Sequence, residues 1–174
     1  MTALALPQLQ ARLQPLIDAH KDRPGALLPL LHAVQDALGH VPDEVVPLIA
    51  PALNLSRAEV HGVISYYHHF RRTPPGRHVL QICRAEACRA CGSEALAEAA
   101  QRILGCDDHA TRADGAVTVE PVYCLGLCAQ SPAATFDGQP IARCTPQRLQ
   151  ALADAHGLNP ADGAPAATPL SARA

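Results

Sequence analysis

His78-Val79-Leu80-Gln81-Ile82-Cys83-Arg84-Ala85-Glu86-Ala87-Cys88 decides how this chain is organised. Residues His78 to Ile82 read as a β-strand that ends at Cys83. A loop carrying a C-x4-C pair follows. The pattern returns further on. Ala116 to Pro121 reads as a strand, and Cys124-Leu125-Gly126-Leu127-Cys128 follows it with a C-x3-C pair. Loops that leave two strands at the same edge of a sheet face each other. Such an arrangement brings four sulfurs together without deforming the scaffold.

The surroundings of these pairs give an α/β pattern. Ser93 to Leu104 is rich in Ala and Glu and reads as a helix. Ala133 to Phe136 and Gln139 to Ala142 flank Asp137-Gly138, the signal of a tight β-hairpin. Thr145-Pro146 opens a last helix through His156. The order β-α-β-β-β-α places helices on a small sheet.

Thr73-Pro74-Pro75-Gly76 is a strong breaker and the expected domain boundary. Before it, residues 1–73 read as all-helical. A first helix is expected over Pro7 to His20, with Leu9, Leu13, Leu16 and Ile17 as its apolar stripe. A second covers Ala26 to Leu38, closed by Gly39 and Pro42. A third spans Asp43 to Leu53, with Asp43 and Glu44 in its first turn. Ser56-Arg57-Ala58-Glu59 matches a capping box and opens a fourth helix to about Phe70. Four short helices with tight connections make a small bundle. The whole is an α+β chain: a helical bundle over 1–73, an α/β domain over 77–157, and a tail over 158–174. That tail is rich in Ala and Pro without periodicity and is expected to be disordered.

Composition narrows the function. Of 174 residues, 48% are hydrophobic but only 3% aromatic, so Leu, Val, Ile and Ala must build the core. A formal charge of −2 gives no basic footprint for nucleic acid. The longest apolar stretch, Val45 to Leu53, is broken by Pro47 and Pro51 and is too short for a bilayer. The start, Met1 to Pro7, lacks the basic region of a secretion signal. A soluble cytoplasmic protein is expected. Seven cysteines are many for such a protein, and an odd number suits a disulfide framework poorly. Metal binding explains them better.

Soft thiolates select iron–sulfur clusters, zinc or copper(I). Four cysteines satisfy a [2Fe–2S] or [4Fe–4S] cluster. Gly126 lets backbone approach such a group closely, because it has no side chain. Loop N–H groups can point at the sulfurs, and Arg84 and Arg89 would favour thiolate electrostatically and raise the potential. Structural zinc is the main rival, although it usually shows C-x2-C spacing. Cys88-Arg89-Ala90-Cys91 does form a C-x2-C, which fits a zinc site or a redox dithiol. It lacks the aromatic-Cys-Gly-Pro-Cys setting of a thiol–disulfide oxidoreductase. No histidine stands close enough to a cysteine pair for a Rieske centre. Cys91, Cys106 and Cys144 read as small buried hydrophobes, with Cys91 set apart by lying a helical turn beyond Cys88.

Taken together, Cys83, Cys88, Cys124 and Cys128 with 35 residues between the pairs resemble a known family. It is the thioredoxin-like [2Fe–2S] ferredoxin family, which includes the small flavoprotein-module subunit of respiratory complex I. Relatives serve NAD-reducing hydrogenases and NAD-dependent formate dehydrogenases. Leu31-His32-Ala33-Val34-Gln35-Asp36-Ala37-Leu38-Gly39-His40-Val41-Pro42 is similar to the family's second helix, and Val60-His61-Gly62-Val63-Ile64-Ser65-Tyr66-Tyr67 to its fourth. Complex I members usually carry Gly-Thr-Ala-Cys at the second ligand, where this chain has Ala85-Glu86-Ala87-Cys88. That departure, with Cys128-Ala129-Gln130-Ser131-Pro132-Ala133, is similar to the gamma subunit of formate dehydrogenases.

The resemblance implies a thioredoxin-like domain whose four cysteines hold one [2Fe–2S] cluster. It implies an electron-transfer subunit without catalytic residues of its own. Its partners would be an FMN- and NAD-binding flavoprotein subunit and a molybdenum-containing large subunit that oxidises formate. The chain itself shows no Gly-x-Gly-x-x-Gly or P-loop motif, so no nucleotide site is expected on it. His61, His68 and His69 crowd one helix end with Tyr66, Tyr67 and Phe70. A surface contacting the flavoprotein is expected there, since aromatics are enriched in interface cores.

Overall fold

The computed structural model describes residues 6–160 and 168–169. Two compact units divide at Pro74 and Pro75. No described helix is long and apolar enough to cross a membrane.

The first unit contains helices α1 (Leu6–His20), α2 (Leu27–Leu38), α3 (Val46–Ala52) and α4 (Arg57–Tyr66). Asp43–Val45 forms a 3-10 turn ahead of α3 rather than its first α-helical turn. Leu13, Leu30, Leu31, Val34, Val45, Ile49 and Val60 are fully buried in one core. Gly39 closes α2 in the left-handed conformation, and its N–H donates to the Gln35 carbonyl. Ser56 caps α4 reciprocally with Glu59. Gly62 lies inside α4, where glycine costs about 1 kcal/mol relative to alanine. A Cβ at Gly62 would meet no atom within 4 Å.

α4 is four residues shorter than expected. Gln35, 5% exposed, supplies the reason. Its Nε2 donates to the His69 carbonyl at 2.9 Å, and its Oε1 accepts from the Arg71 N–H at 2.7 Å. Both bonds hold residues 69–71 out of a helix. Arg72 adds a bidentate pair with Asp43, 2.7 and 2.9 Å. Phe70 is thereby buried while Tyr66 and Tyr67 stay outside.

The second unit is a mixed sheet in the order β5-β4-β1-β3-β2-β6. Its strands are β1 (His78–Cys83), β2 (Ala110–Thr111), β3 (Val117–Val122), β4 (Ala134–Phe136), β5 (Gln139–Ile141) and β6 (Thr168–Pro169). Helices α5 (Glu86–Ala90), α6 (Ser93–Leu104) and α7 (Pro146–His156) complete it. β1 and β3 are parallel; β4 and β2 flank them antiparallel. Leu80, Ile82, Ala100, Val117 and Ala153 lie in the core between sheet and helices.

Polar contacts fix the register. Gln81 on β1 donates to Glu120 on β3 at 3.1 Å and accepts from Thr135 on β4 at 2.9 Å. Gly76 enters β1 so tightly that a Cβ would come within 2.9 Å of the Val117 backbone. Its N–H donates to the buried Thr118 hydroxyl at 2.7 Å. The tail expected over 158–174 does not begin at Leu158. Leu158 is 1% exposed in the core, and its carbonyl accepts from Arg112 Nη1 at 2.5 Å. Asn159 bonds to Gln150 and Asp154, the short β6 pairs with β2, and residues 161–167 and 170–174 lie outside the described residues.

Candidate metal centre

The parallel pairing of β1 and β3 places Cys83 level with Val122. Both strands therefore end level with each other, β1 at Cys83 and β3 two residues before Cys124. Beyond β1, residues 84–85 lead into the five-residue helix α5, which carries Cys88. Beyond β3, Cys124 takes φ +79° and Gly126 φ +74°, and the chain folds back into a 3-10 turn that begins at Cys128. Left-handed backbone is natural for glycine and uncommon for cysteine. In this tight loop the N–H groups of Cys124 and Leu125 act on Cys83, as in an anion-binding nest.

The sulfurs lie in two pairs. Cys124 Sγ and Cys128 Sγ are 3.7 Å apart. A tetrahedral metal with metal–sulfur bonds of about 2.3 Å has sulfurs about 3.8 Å apart, so this pair already has the edge of such a site. In the other pair Cys88 lies near enough to Cys83 to help lower its pKa. Among the described residues, no group of three or more His, Cys, Asp or Glu is gathered for a single metal ion. Two pairs suit a two-iron cluster, in which four cysteines are shared between two irons.

The electrostatics fit thiolate ligands. Burial opposes charge on Cys83. The N–H of Ala85, the Cys88 thiol and the N–H groups of Cys124 and Leu125 outweigh it and hold the Cys83 pKa below the ordinary cysteine value. Cys128 is pushed the other way, first by its bond with Cys124 and the charge there, then by burial, then by Cys88 and Cys83. Cys128 thus feels the other three sulfurs. A cation shared among them relieves that repulsion, which is the chemistry expected of a cluster site.

Exposure divides the four. Cys83 and Cys88 are each 2% exposed, packed with Ala133 beneath Ala85, Val122, Leu125 and Leu127. Cys124 and Cys128 are exposed. Tyr123, beside Cys124, is 75% exposed. Ser131 ties the halves together: its hydroxyl donates to the Cys128 carbonyl at 2.8 Å and lies 3.4 Å from Cys88 Sγ. No role for Ser131 is visible in the sequence, where it stands only within the stretch from Cys128 to Ala133.

Several expectations need correction. Arg84 and Arg89 are not free counter-charges for the sulfurs. Arg84 pairs with Glu94 and, at 2.5 Å, with Asp108, while Arg89 reaches Glu94 at 3.5 Å. Cys91 is exposed at the end of α5 rather than buried, unlike Cys106 and Cys144. In the first unit, the His61, His68, His69 group divides. His69 and Phe70 turn towards His32, with ring centroids at 5.0 and 5.1 Å, and Tyr66 and Tyr67 face outward.

These observations define a class: an α+β chain with a thioredoxin-like sheet and two cysteine loops at its strand ends, a candidate thiolate centre. The model of the family described as thioredoxin-like [2Fe-2S] ferredoxin matches residues 13–156. The chain belongs to that family, whose cofactor is a [2Fe–2S] cluster. It is 33% identical over 137 residues to the E subunit of NADH-quinone oxidoreductase from Pseudomonas aeruginosa, covering 79% of this chain and 82% of the relative. NADH-quinone oxidoreductase subunit 2 of Thermus thermophilus is 34% identical over 131 residues, 75% and 72% of the two chains. Among solved structures, an NAD+-reducing [NiFe]-hydrogenase in the air-oxidized state superposes with a TM-score of 0.65 at 27% identity, covering 83% of this chain. This chain spans 25% of the hydrogenase chain it matches.

Proposed function

We propose that Cys83, Cys88, Cys124 and Cys128 hold a [2Fe–2S] cluster and that the chain is an electron-transfer subunit of an NAD-linked oxidoreductase complex. The observation that carries the proposal is the level pairing of Cys83 with Val122, which sets the two cysteine loops at neighbouring strand ends. When bound, the cluster supplies one-electron chemistry, accepting and returning single electrons. The protein's residues do the rest. Cys83 and Cys88 anchor the buried side. Loop N–H groups on Cys83 stabilise its charge. Cys124 and Cys128 present the side open to a partner, whose flavin exchanges electrons with this chain. No catalytic residue is assigned to the chain, and no turnover is expected of it alone.

The parent complex is the finer part of the proposal. The NADH-quinone oxidoreductase relatives and the hydrogenase favour a complex of one of those two kinds. A second reading, an NAD-dependent formate dehydrogenase with a molybdenum-containing subunit, is favoured by Ala85-Glu86-Ala87 ahead of Cys88. Ala85 gives its N–H to Cys83, so this departure stands against the cluster itself.

Visible absorption of the purified chain tests the first part. A red-brown protein that bleaches on reduction supports it, and a colourless zinc protein overturns it. For the second part, the native complex is purified and assayed for molybdenum and for NAD+ reduction by formate or hydrogen. Molybdenum with formate activity selects the formate dehydrogenase reading. Quinone reduction by NADH, or NAD+ reduction by hydrogen, selects the other.

A further inference from the structure

We propose that the Ser131 hydroxyl is a switchable donor to the Cys88 sulfur and sets the reduction potential of the site formed by Cys83, Cys88, Cys124 and Cys128. The bond it makes to the Cys128 carbonyl is the one it gives up when Cys88 becomes a ligand. This inference rests on the electron-transfer reading above and names a positioning residue that tunes that same site.

Ser131 touches both cysteine loops. Its Oγ lies 3.4 Å from Cys88 Sγ and donates to the Cys128 carbonyl at 2.8 Å. A hydroxyl has one proton and two lone pairs. While that proton points at the Cys128 carbonyl, the Cys88 thiol is the donor in the 3.4 Å contact. A cysteine bound to a metal has lost its proton and can no longer donate. The Cys88 sulfur and the Cys128 carbonyl are then two acceptors facing one hydroxyl proton.

Burial decides between them. Cys128 is exposed, so water can take over its carbonyl. Cys88 is 2% exposed and packed with Cys83 and Ala133, where charge without a donor is costly. The proton therefore turns to Cys88. Only the hydroxyl needs to rotate, because the backbone on either side of Ser131 is pinned. Gln130 donates to the Leu127 carbonyl and accepts from the Arg143 N–H, both at 2.8 Å, and the Pro132 carbonyl accepts from the Cys144 N–H at 2.7 Å. Cys83 has the N–H groups of Ala85, Cys124 and Leu125 for its charge, and Ser131 brings a side-chain donor to Cys88. A hydrogen bond to a ligating sulfur draws off negative charge and favours the reduced state, so the potential rises. One electron arrives from the partner's flavin on reduction, and the hydroxyl keeps its proton throughout.

The test uses the full-length, iron-loaded chain. At an applied potential near the parent's midpoint, Ser131→Ala should lower the ratio of reduced to oxidised protein about tenfold, the equivalent of one hydrogen bond to a charged group. Ser131→Thr keeps the hydroxyl and should stay close to the parent ratio. Redox titration followed by electron paramagnetic resonance reads both. Resonance Raman spectra in H2O and D2O add a signature that a merely structural role would not move. Part of the exchange shift of the iron–cysteine bands should vanish in Ser131→Ala and return in Ser131→Thr. An unchanged ratio or an unchanged exchange shift in loaded Ser131→Ala overturns the inference. So does loss of iron from that variant, which would make the hydroxyl a requirement for assembly rather than a tuning group. A parent without a [2Fe–2S] spectrum sinks the functional reading itself. A red-brown parent that Ser131→Ala matches in potential sinks this inference alone.

Discussion

Arg84 donates to Asp108 at 2.5 Å, directly after Cys83 in the chain. The same guanidinium pairs with Glu94, so one cation is held between two carboxylates. Arg89 also reaches Glu94, at 3.5 Å, so two cations and two carboxylates balance beside Cys83. Asp108→Asn removes one negative charge and leaves Arg84 its Glu94 partner. The midpoint potential of the loaded protein should rise on the order of tens of millivolts, as expected for a unit charge removed from a partly buried site. Redox titration followed by electron paramagnetic resonance measures it. An unchanged or lowered potential counts against the arrangement.

The proposed ligands and the remaining cysteines should separate cleanly. Serine at position 83, 88, 124 or 128 should abolish or strongly alter the visible spectrum. Alanine at Cys106 or Cys144 should leave it intact. Both of those thiols are buried in the sheet core, and Cys106 Sγ lies 3.4 Å from the Ala110 carbonyl. Iron content per chain gives an independent reading.

Cys106 and Cys144 set an alkaline limit on stability. Burial pushes each thiol up to about 11, against an ordinary value of 9.0. Between pH 9 and 11 the unfolded chain loses these protons and the folded chain keeps them. The unfolded state then binds fewer protons, so stability falls as pH rises through this window. The slope approaches about 1.4 kcal/mol per pH unit for each thiol. Urea unfolding at pH 8 and pH 10.5 should show the fall, and a Cys106→Ala/Cys144→Ala protein should show much less of it.

Gln35→Leu removes the side-chain bonds to the His69 carbonyl and the Arg71 N–H while keeping an apolar side chain in the core. Two backbone groups then lose their bonds at a partly buried site. The expected destabilisation of the helical unit is about 2 kcal/mol or more, since each buried unsatisfied group costs about 1–3 kcal/mol. A shifted denaturation midpoint of α-helical circular dichroism measures it. A midpoint within error of the parent would remove Gln35 from this role.

Local signals made much of this fold legible. α6 runs from Ser93 to Leu104 as its composition predicted, and the Ser56–Glu59 capping box marks the start of α4. The strand before Cys83 was readable because its end coincides with the cysteine pair. What escaped depends on distant residues. The end of α4 is fixed by Gln35, over thirty residues away, which no local pattern encodes. α5 has five residues and β2 has two, both too short for any periodicity. Arg84 looked available to the sulfurs because its partners lie 10 and 24 residues onward. The candidate ligands were legible as spacing alone, whereas the division between buried and exposed pairs needed three dimensions.

That division has a consequence for the protein outside its complex. Electron tunnelling falls off steeply with distance, so with the proposed cluster bound, traffic would pass through the exposed Cys124 and Cys128 side and hardly at all through the packed Cys83 and Cys88 side. An opening of this kind does not distinguish a flavin from dissolved oxygen. The reduced chain standing free should leak its electron quickly, and covering residues 123–129 with a partner should act as insulation as much as contact.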